Sequence, residues 1–208
     1  MDKRIKKLLE TNLICKGAKA LNPIDRKVSS GISIFDKYLG GWPLATITEL
    51  IHDEDGLGEI SILIPLLSKI SNSEKNWIVL INPPYIPYAP SMNNNKIDTS
   101  KILIVKTNNA HEVLWSMEQS LKTKNCSVVI GWPKILNENI IRRLSKAARQ
   151  GATMGFYLVN SRISPKNSSV PYRFKIDKKL KRTRISVLKH FSGIRIKNFT
   201  INDALVVS

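Results

Sequence analysis

Short runs of apolar residues, most of them rich in β-branched side chains, recur along this chain. The runs are ITELI at 47–51, WIVLI at 77–81, ILIV at 102–105, SVVI at 127–130 and GFYLV at 155–159. Runs of this length, bounded by turn-forming residues, are typical of parallel strands that are covered on both faces. The pattern therefore predicts the strands of one buried sheet.

Between these runs, apolar residues recur every three or four positions, as they do on one face of a helix. The three stripes are Ile60, Leu63, Ile64, Leu67 and Ile70; Val113, Leu114, Met117 and Leu121; and Ile140, Ile141, Leu144, Ala147 and Ala148. We expect Gly151 to be the C-cap of the third helix and Trp115 to lie in the core. The alternation of strand and helix predicts an α/β fold, with a mostly parallel, doubly wound sheet and helices on both faces.

The two ends of the chain extend this pattern. Residues 2–13 predict a short amphipathic helix, and two further strands are predicted at 172–177 and 184–189, after the turn-rich stretch 161–172. We expect residues 1–45 to hold the N-terminal helix and the segment that leads into the core. Residues 46–208 would form the core with its basic C-terminal strands, and 208 residues suit one compact domain.

Composition excludes several classes of protein. The hydrophobic fraction of 42% is that of a globular chain, and no apolar run approaches the roughly 20 residues that span a bilayer. The N-terminus MDKRIKKLLE lacks the apolar region of a signal peptide, so we expect a cytoplasmic protein. Cys15 and Cys126 make no disulfide framework, and no Cys or His pair has the spacing of a metal site.

The net charge of +17 is the strongest feature of the composition. Such an excess favours a polyanionic partner, nucleic acid above all. The alternative is an AT-rich genome, which enriches Lys, Asn and Ile throughout a chain. The positions proposed to meet nucleic acid belong to the basic C-terminal segment and are Lys178, Lys179, Lys181, Arg182 and Arg184.

The segment after the first core strand has the place of a phosphate-binding loop but not its residues. A working loop reads G-x-x-x-x-G-K-[ST], in which the Lys holds phosphates and the hydroxyl holds magnesium. With Gly58 as the second glycine, Asp53 takes the first position, Glu59 the Lys position and Ile60 the hydroxyl position. Negative charge there repels a triphosphate. We therefore predict a degenerate P-loop, no ATP binding, no cofactor and no enzymatic activity.

The segment SGISIFDKYLGGWPLATITEL resembles the beginning of RecA-type cores. The matching positions are Ser30, Gly31, Asp36, Leu39, Gly40, Gly41, Pro43, Thr48 and Glu49, with Ala45 in place of an expected glycine. The blocks ILIPLLSKI, NWIVLINPPYIPYAPS and NCSVVIGWPK, together with GATMGF, narrow the match. Over roughly residues 29–190 the chain is similar to the SulA/ImuA family of bacterial SOS-response proteins, which implies a RecA-like fold.

That resemblance implies two alternative functions. ImuA proteins act in error-prone translesion DNA synthesis, beside RecA and the inactive Y-family polymerase ImuB. SulA proteins bind the division protein FtsZ and stop septation. The GGWPLATITEL segment, the PPYIPYAP loop and the basic tail favour an ImuA-like accessory protein that associates with RecA and the polymerase assembly and leaves FtsZ assembly unaffected. The SulA-like division inhibitor is the alternative.

Four residues are predicted to contact a protein partner. Tyr85 and Tyr88, braced by prolines, follow a strand at the end where open α/β sheets have their binding crevice, and Trp132 reaches the same end. The alternative to a partner contact is that the tyrosine rings pack the loop onto the domain. The resemblance implies that division inhibitors use an Arg, an aromatic residue and a Lys where this chain has Asn76, Ser91 and Lys101. Of these three, Lys101 alone keeps the family's residue type.

Overall fold

The computed structural model describes residues 26–53, 59–73, 75–179, 182–191, 193 and 198–202. The helices are α1 (Ser33–Leu39), α2 (Ile64–Ser73), α3 (Ala89–Asn94), α4 (Ala110–Lys122) and α5 (Glu138–Gly151). The strands are β1 (Lys27–Val28), β2 (Trp42–Pro43), β3 (Ile47–His52), β4 (Trp77–Ile81), β5 (Ile102–Val105), β6 (Cys126–Gly131), β7 (Met154–Asn160), β8 (Tyr172–Lys179), β9 (Arg182–Lys189) and β10 (Asn198–Asn202). Short 3-10 turns at Ser61–Leu63 and Thr99–Lys101 precede α2 and β5. The helix predicted at 2–13 lies outside the described residues.

The principal sheet has eight strands in the order β10-β9-β8-β3-β7-β6-β4-β5. Strands β8 through β5 in this order are mutually parallel, and β9 and β10 continue the sheet in antiparallel pairs. The predicted mixed α/β fold with a mostly parallel sheet is therefore confirmed. Strand β5, from the middle of the chain, forms one edge of the sheet. Strand β10, near the C-terminus, forms the opposite edge.

Two apolar clusters cover the two faces of the sheet. On one face, Phe35 of α1 and Leu67 of α2 pack with β-strand residues that include Leu80 and Ile130. On the other face, Met117 of α4 and residues of α5 pack with the alternate strand residues, such as Val79 and Val129. Side chains of successive strand residues point to opposite faces, so fully apolar strands supply both clusters. Helices lie on both faces, as the pattern predicted.

The segment that leads into the core is fixed by a turn at Gly40 and Gly41. Both glycines have positive φ, 75° and 102°, and a Cβ at Gly41 would lie 2.3 Å from the carbonyl oxygen of Val28. Only glycine tolerates this conformation and this close approach of backbone at little cost. The turn delivers Trp42 into the core, where its ring packs edge-on against Phe156 at 5.2 Å between centroids.

Helix α5 ends differently from the prediction. Ala152, with φ of 53°, is the left-handed C-cap, and Gly151 is the last helical residue. A Cβ at Gly151 would lie 2.1 Å from the carbonyl oxygen of Leu121 in α4. The glycine is therefore required for close helix packing and not for a turn.

One further prediction is corrected, and one strand has no counterpart among the predictions. Trp115 is 61% exposed, because it lies two positions from Val113 in α4 and so points away from the buried stripe. Strand β10 was not predicted at all. Its buried residues Phe199 and Ile201 alternate with polar ones and complete the C-terminal margin of the sheet.

A buried ion pair joins the C-terminal strands to the core. Glu49 of β3 is fully buried and accepts a charge-assisted hydrogen bond from Arg173 of β8, its neighbour in the register. Ser164 donates to Glu49 at 2.7 Å, and Arg173 also donates to the carbonyl oxygen of Pro165 at 2.7 Å. The pair is therefore fixed by the loop that precedes β8 as well as by the strands.

Candidate functional site

The loop after β4 exposes three large apolar side chains. Tyr85, Ile86 and Tyr88 are 68%, 67% and 72% exposed, so the tyrosine rings do not pack the loop onto the domain. The loop begins at Asn82, which has a positive φ of 54° and whose amide donates to the carbonyl oxygen of Val105 at 2.7 Å. It ends at Tyr88, the N-cap residue of α3. The loop is therefore fixed at both ends and apolar between them.

The adjacent edge strand β5 is also partly uncovered. Leu103 and Ile104 point to opposite faces of the sheet and are 49% and 38% exposed. We call Tyr85, Ile86, Tyr88, Leu103 and Ile104 the apolar margin. These side chains belong to the edge strand and to the loop that follows the strand beside it, and exposed apolar surface of this kind is typical of protein-binding sites.

A small pocket of about 160 Å³ lies where β4, β5 and β6 end. It is lined by Asn82, Thr107, Asn108, Ala110, Val113 and Lys134. This is the end of an open α/β sheet where binding crevices form. The pocket is below the roughly 300 Å³ of ordinary ligand sites, so it suits one side chain of a partner better than a nucleotide.

The structure separates the predicted partner residues. Trp132 is only 9% exposed and packs in the core, so its prediction as a contact residue is corrected. Lys101 is half-buried in the 3-10 turn before β5. Asn76 directly precedes β4, and the exposed Ser91 lies in α3. Asn76 is therefore at the end of β4 opposite to the loop of the apolar margin, Ser91 lies one helical turn beyond Tyr88, and Lys101 directly precedes the edge strand β5.

The predicted P-loop residues are described only in part. Gly58 lies outside the described residues, Glu59 is 6% exposed, and Ile60 precedes the 3-10 turn that leads into α2. The carboxylate of Asp53 lies 2.8 Å from the ammonium of Lys175, and this hydrogen bond lowers the pKa of Asp53 and raises that of Lys175. The degenerate P-loop stays a prediction. Within the described ranges, no cluster of three or more His, Cys, Asp or Glu residues could hold a metal ion.

The predicted nucleic-acid residues do not share one face. Arg182 and Arg184 are exposed on β9, and the register pairs them with Lys179 and Asp177 of β8. Lys178 pairs with the buried Thr183 and so points to the other face of the sheet. Lys181 and the side chain of Lys179 lie outside the described part of the structure. Alternation along the strands thus divides a group that is continuous in sequence.

Comparison with known proteins shows that this chain is similar to proteins described as cell division inhibitors. The family model described as "Cell division inhibitor SulA" matches residues 45–155, from the start of β3 to the start of β7. A cell division inhibitor SulA from Yersinia enterocolitica is 30% identical over 112 residues, 54% of this chain and 66% of the relative. A SulA from Serratia proteamaculans is 27% identical over the same shares. The matched part is thus a little under two thirds of each relative's length.

The fold has a wider neighbour. A KaiC-like protein from the archaeon Pyrococcus horikoshii superimposes with a TM-score of 0.62 at 16% identity, over 84% of this chain and 94% of the archaeal one. This likeness concerns the fold alone and agrees with the RecA-like sheet. No helix among the described residues is long and apolar enough to cross a membrane. Since the family model matches more than half of its residues, the chain belongs to the SulA family of cell division inhibitors.

Proposed function

We propose that this protein is a non-enzymatic inhibitor of cell division that binds FtsZ through the apolar margin. The observation that carries the proposal is that this margin lies entirely within the part of the chain matched by the SulA family. The relatives named as division inhibitors align over about the same length of chain. These relatives favour a SulA-like division inhibitor over a translesion accessory protein. The RecA and polymerase partners of the translesion function gain no support from them.

The exposed aromatic residues supply what an interface needs. Tyrosine is enriched among residues that dominate binding energy, because a rigid ring buries a large area at a small cost in entropy. Pro83, Pro84 and Pro87 restrict the loop that holds Tyr85 and Tyr88, which reduces the entropy lost on binding. An apolar loop that is fixed before binding is suited to an anchoring role.

The substitutions at Asn76 and Ser91 argued against FtsZ binding in the sequence, and the geometry weakens that argument. Tyr88 is three residues before Ser91, and its carbonyl oxygen accepts a hydrogen bond from Met92 at 3.2 Å in the first turn of α3. An aromatic ring therefore stands one helical turn from the position where the family carries one. The aromatic anchor is displaced along the chain by three residues and belongs to the apolar margin.

The proposal can be tested with purified FtsZ. This protein, added at one to two equivalents, should lower FtsZ GTPase activity in a stoichiometric manner. Replacing Tyr85 and Tyr88 by Ala should raise the concentration needed for half-inhibition at least tenfold, since each anchor is worth roughly 2 kcal/mol. The matched control is Phe191→Ala, which removes a 50% exposed ring outside the family-matched part and should change nothing.

Two outcomes would contradict the proposal. One is an unchanged GTPase rate at a tenfold molar excess of the folded protein. The other is equal loss of inhibition in the control variant, because the effect would then not depend on the apolar margin. Co-precipitation of RecA or a Y-family polymerase, with FtsZ unaffected, would favour the translesion accessory function instead.

A further inference from the structure

The positive charge of this protein is concentrated outside the family-matched part. Residues 156–208 contain twelve Lys or Arg and two acidic residues, whereas residues 45–155 contain twelve and ten. An AT-rich genome would enrich Lys along the whole chain and would not leave residues 45–155 nearly neutral. The excess of positive charge therefore has a local cause. It lies in residues 156–208, which include β8, β9 and β10.

One face of these strands is open. Alternate residues such as Phe174, Ile185 and Phe199 are buried in the cluster that α1 and α2 cover. The residues between them point to the opposite face, where Arg184 pairs in register with Asp177 on one side and Thr200 on the other. Arg182, Arg184 and Thr200 are exposed, which leaves this side of β9 and β10 accessible to a partner. We call this side the basic face.

The arginines of the basic face are available for binding. No salt bridge joins Arg182 or Arg184 to another residue of the described ranges. Asp177, the acidic residue closest in register, lies 3.7 Å from the ammonium of Lys175, which partly neutralises it. The same ammonium lies 2.8 Å from the carboxylate of Asp53. The acidic groups near the basic face are thus engaged by a lysine, and neither guanidinium group forms a salt bridge with a carboxylate of the described ranges.

From this geometry we infer that the basic face binds single-stranded nucleic acid through its phosphate backbone. Arg182 and Arg184 are two residues apart on one strand, which places their Cα atoms roughly 7 Å apart and lets each guanidinium meet a different phosphate. Planar guanidinium groups bind phosphate oxygens with two hydrogen bonds. The exposed Thr200 and Asn198 of β10 add uncharged donors beside them. A row of such donors recognises a backbone without reading sequence.

A nucleic-acid strand suits this face better than a membrane. Binding to a lipid surface requires apolar side chains that insert beside the charges. The exposed apolar residues of this region, Leu188 and Phe191, are at or beyond the far end of β9 from Arg182. An exposed ring at the end of a basic strand is instead suited to stacking with a base.

The test is a titration of a fluorescent 20-nucleotide oligothymidylate with the full-length protein, followed by anisotropy between 50 and 300 mM KCl. Affinity should fall steeply with salt, with a log–log slope of about −0.7 for each phosphate neutralised on a single strand. Arg182→Ala with Arg184→Ala should reduce that slope by about 1.4 and weaken binding roughly twentyfold near 0.1 M salt. Arg182→Lys with Arg184→Lys keeps the charge and should keep most of the slope.

The matched control is Arg142→Ala with Lys146→Ala, which removes two exposed cations from the outward side of α5. Its slope and affinity should stay within twofold of the unchanged protein. Equal losses in both alanine pairs would overturn the assignment to the basic face. So would absence of binding at 50 mM KCl, tighter binding to the duplex of the same length, or binding to phosphatidylserine vesicles with none to the oligonucleotide.

Discussion

The β5 margin of the sheet and the β8–β10 margin differ in net charge and in the side chains that they expose. They differ also in whether the SulA family model matches them. The first is apolar, and residues 45–155, which contain it, carry almost balanced charge. The second carries exposed arginines on antiparallel strands that lie beyond the residues matched by the SulA family. Both margins close the same buried sheet. The difference shows that one RecA-like core presents chemically distinct surfaces at its two ends, which suits two kinds of partner.

The largest expected effect concerns the junction between these regions. Glu49→Gln removes the buried carboxylate that pairs with Arg173 and leaves a guanidinium without its counter-charge. Breaking one side of a buried ion pair costs about 3–5 kcal/mol. Urea unfolding of the variant should show a loss in that range. Combining Glu49→Gln with Arg173→Met should cost less than the sum of the two single losses, whereas a single loss below about 1 kcal/mol would mean that the pair does not hold the basic strands to the core.

A smaller effect concerns pH and His190, which directly follows β9 at the β8–β10 margin. Burial, with the nearby charge of Lys27, lowers the pKa of His190 to about 4, and the Lys27 ammonium lies 3.3 Å from its Nε2. Well above pH 6.5, His190 is neutral in both the folded and the unfolded chain and adds nothing to the pH dependence of stability. As pH falls from about 6.5 toward 4, the unfolded chain binds a proton that the folded chain does not, so stability is lost.

At pH 5 this loss amounts to about 2 kcal/mol. The measurement is the free energy of unfolding at pH 7 and pH 5, for the unchanged protein and for His190→Gln. The unchanged protein should lose about 2 kcal/mol more than the variant over this interval. Equal losses would show that His190 accepts a proton in the folded state and that Lys27 does not oppose it.

The smallest effect on stability compares two leucines. Leu103 on β5 and Leu188 on β9 are 49% and 51% exposed, so each change to Lys should alter the free energy of unfolding by less than about 1 kcal/mol. Their effects on FtsZ should nevertheless differ, because only Leu103 belongs to the apolar margin. Leu103→Lys should weaken inhibition of FtsZ GTPase activity several-fold and Leu188→Lys should not. Similar inhibition by both variants would remove the distinction between the margins.

Sequence patterns predicted the sheet more fully than its surfaces. Continuous apolar runs predicted β4 to β7, and apolar stripes predicted α2, α4 and α5, whereas the short helix α3 was not predicted. Burial on both faces explains the runs in β6 and β7. It does not explain the run in β5, an edge strand whose Leu103 and Ile104 are 49% and 38% exposed. Strand β10 was missed because Phe199 and Ile201 make only two apolar positions in a polar segment. The pairing of Glu49 with Arg173 joins residues 124 apart, and no local period reports such a contact.

The exposure of a predicted contact residue agrees with the sequence-based expectation in one loop and not in another. Tyr85 and Tyr88, in a proline-rich loop after a strand, are exposed as a binding role requires. Trp132, in a similar position after β6, is buried. The sequence contained no signal that distinguishes them, since each follows a strand beside prolines. Exposure there depends on how neighbouring elements cover the loop, which is set by tertiary packing.

The most direct test of the separation between the margins is light scattering by assembling FtsZ, titrated with three forms of this protein. The unchanged protein and Arg182→Ala with Arg184→Ala should prevent assembly at the same molar ratio, near one to one. Tyr85→Ala with Tyr88→Ala should need at least tenfold more, because the apolar margin has lost its anchors. The account is contradicted if the arginine pair proves as necessary as the tyrosine pair, or if the unchanged protein leaves assembly unaffected.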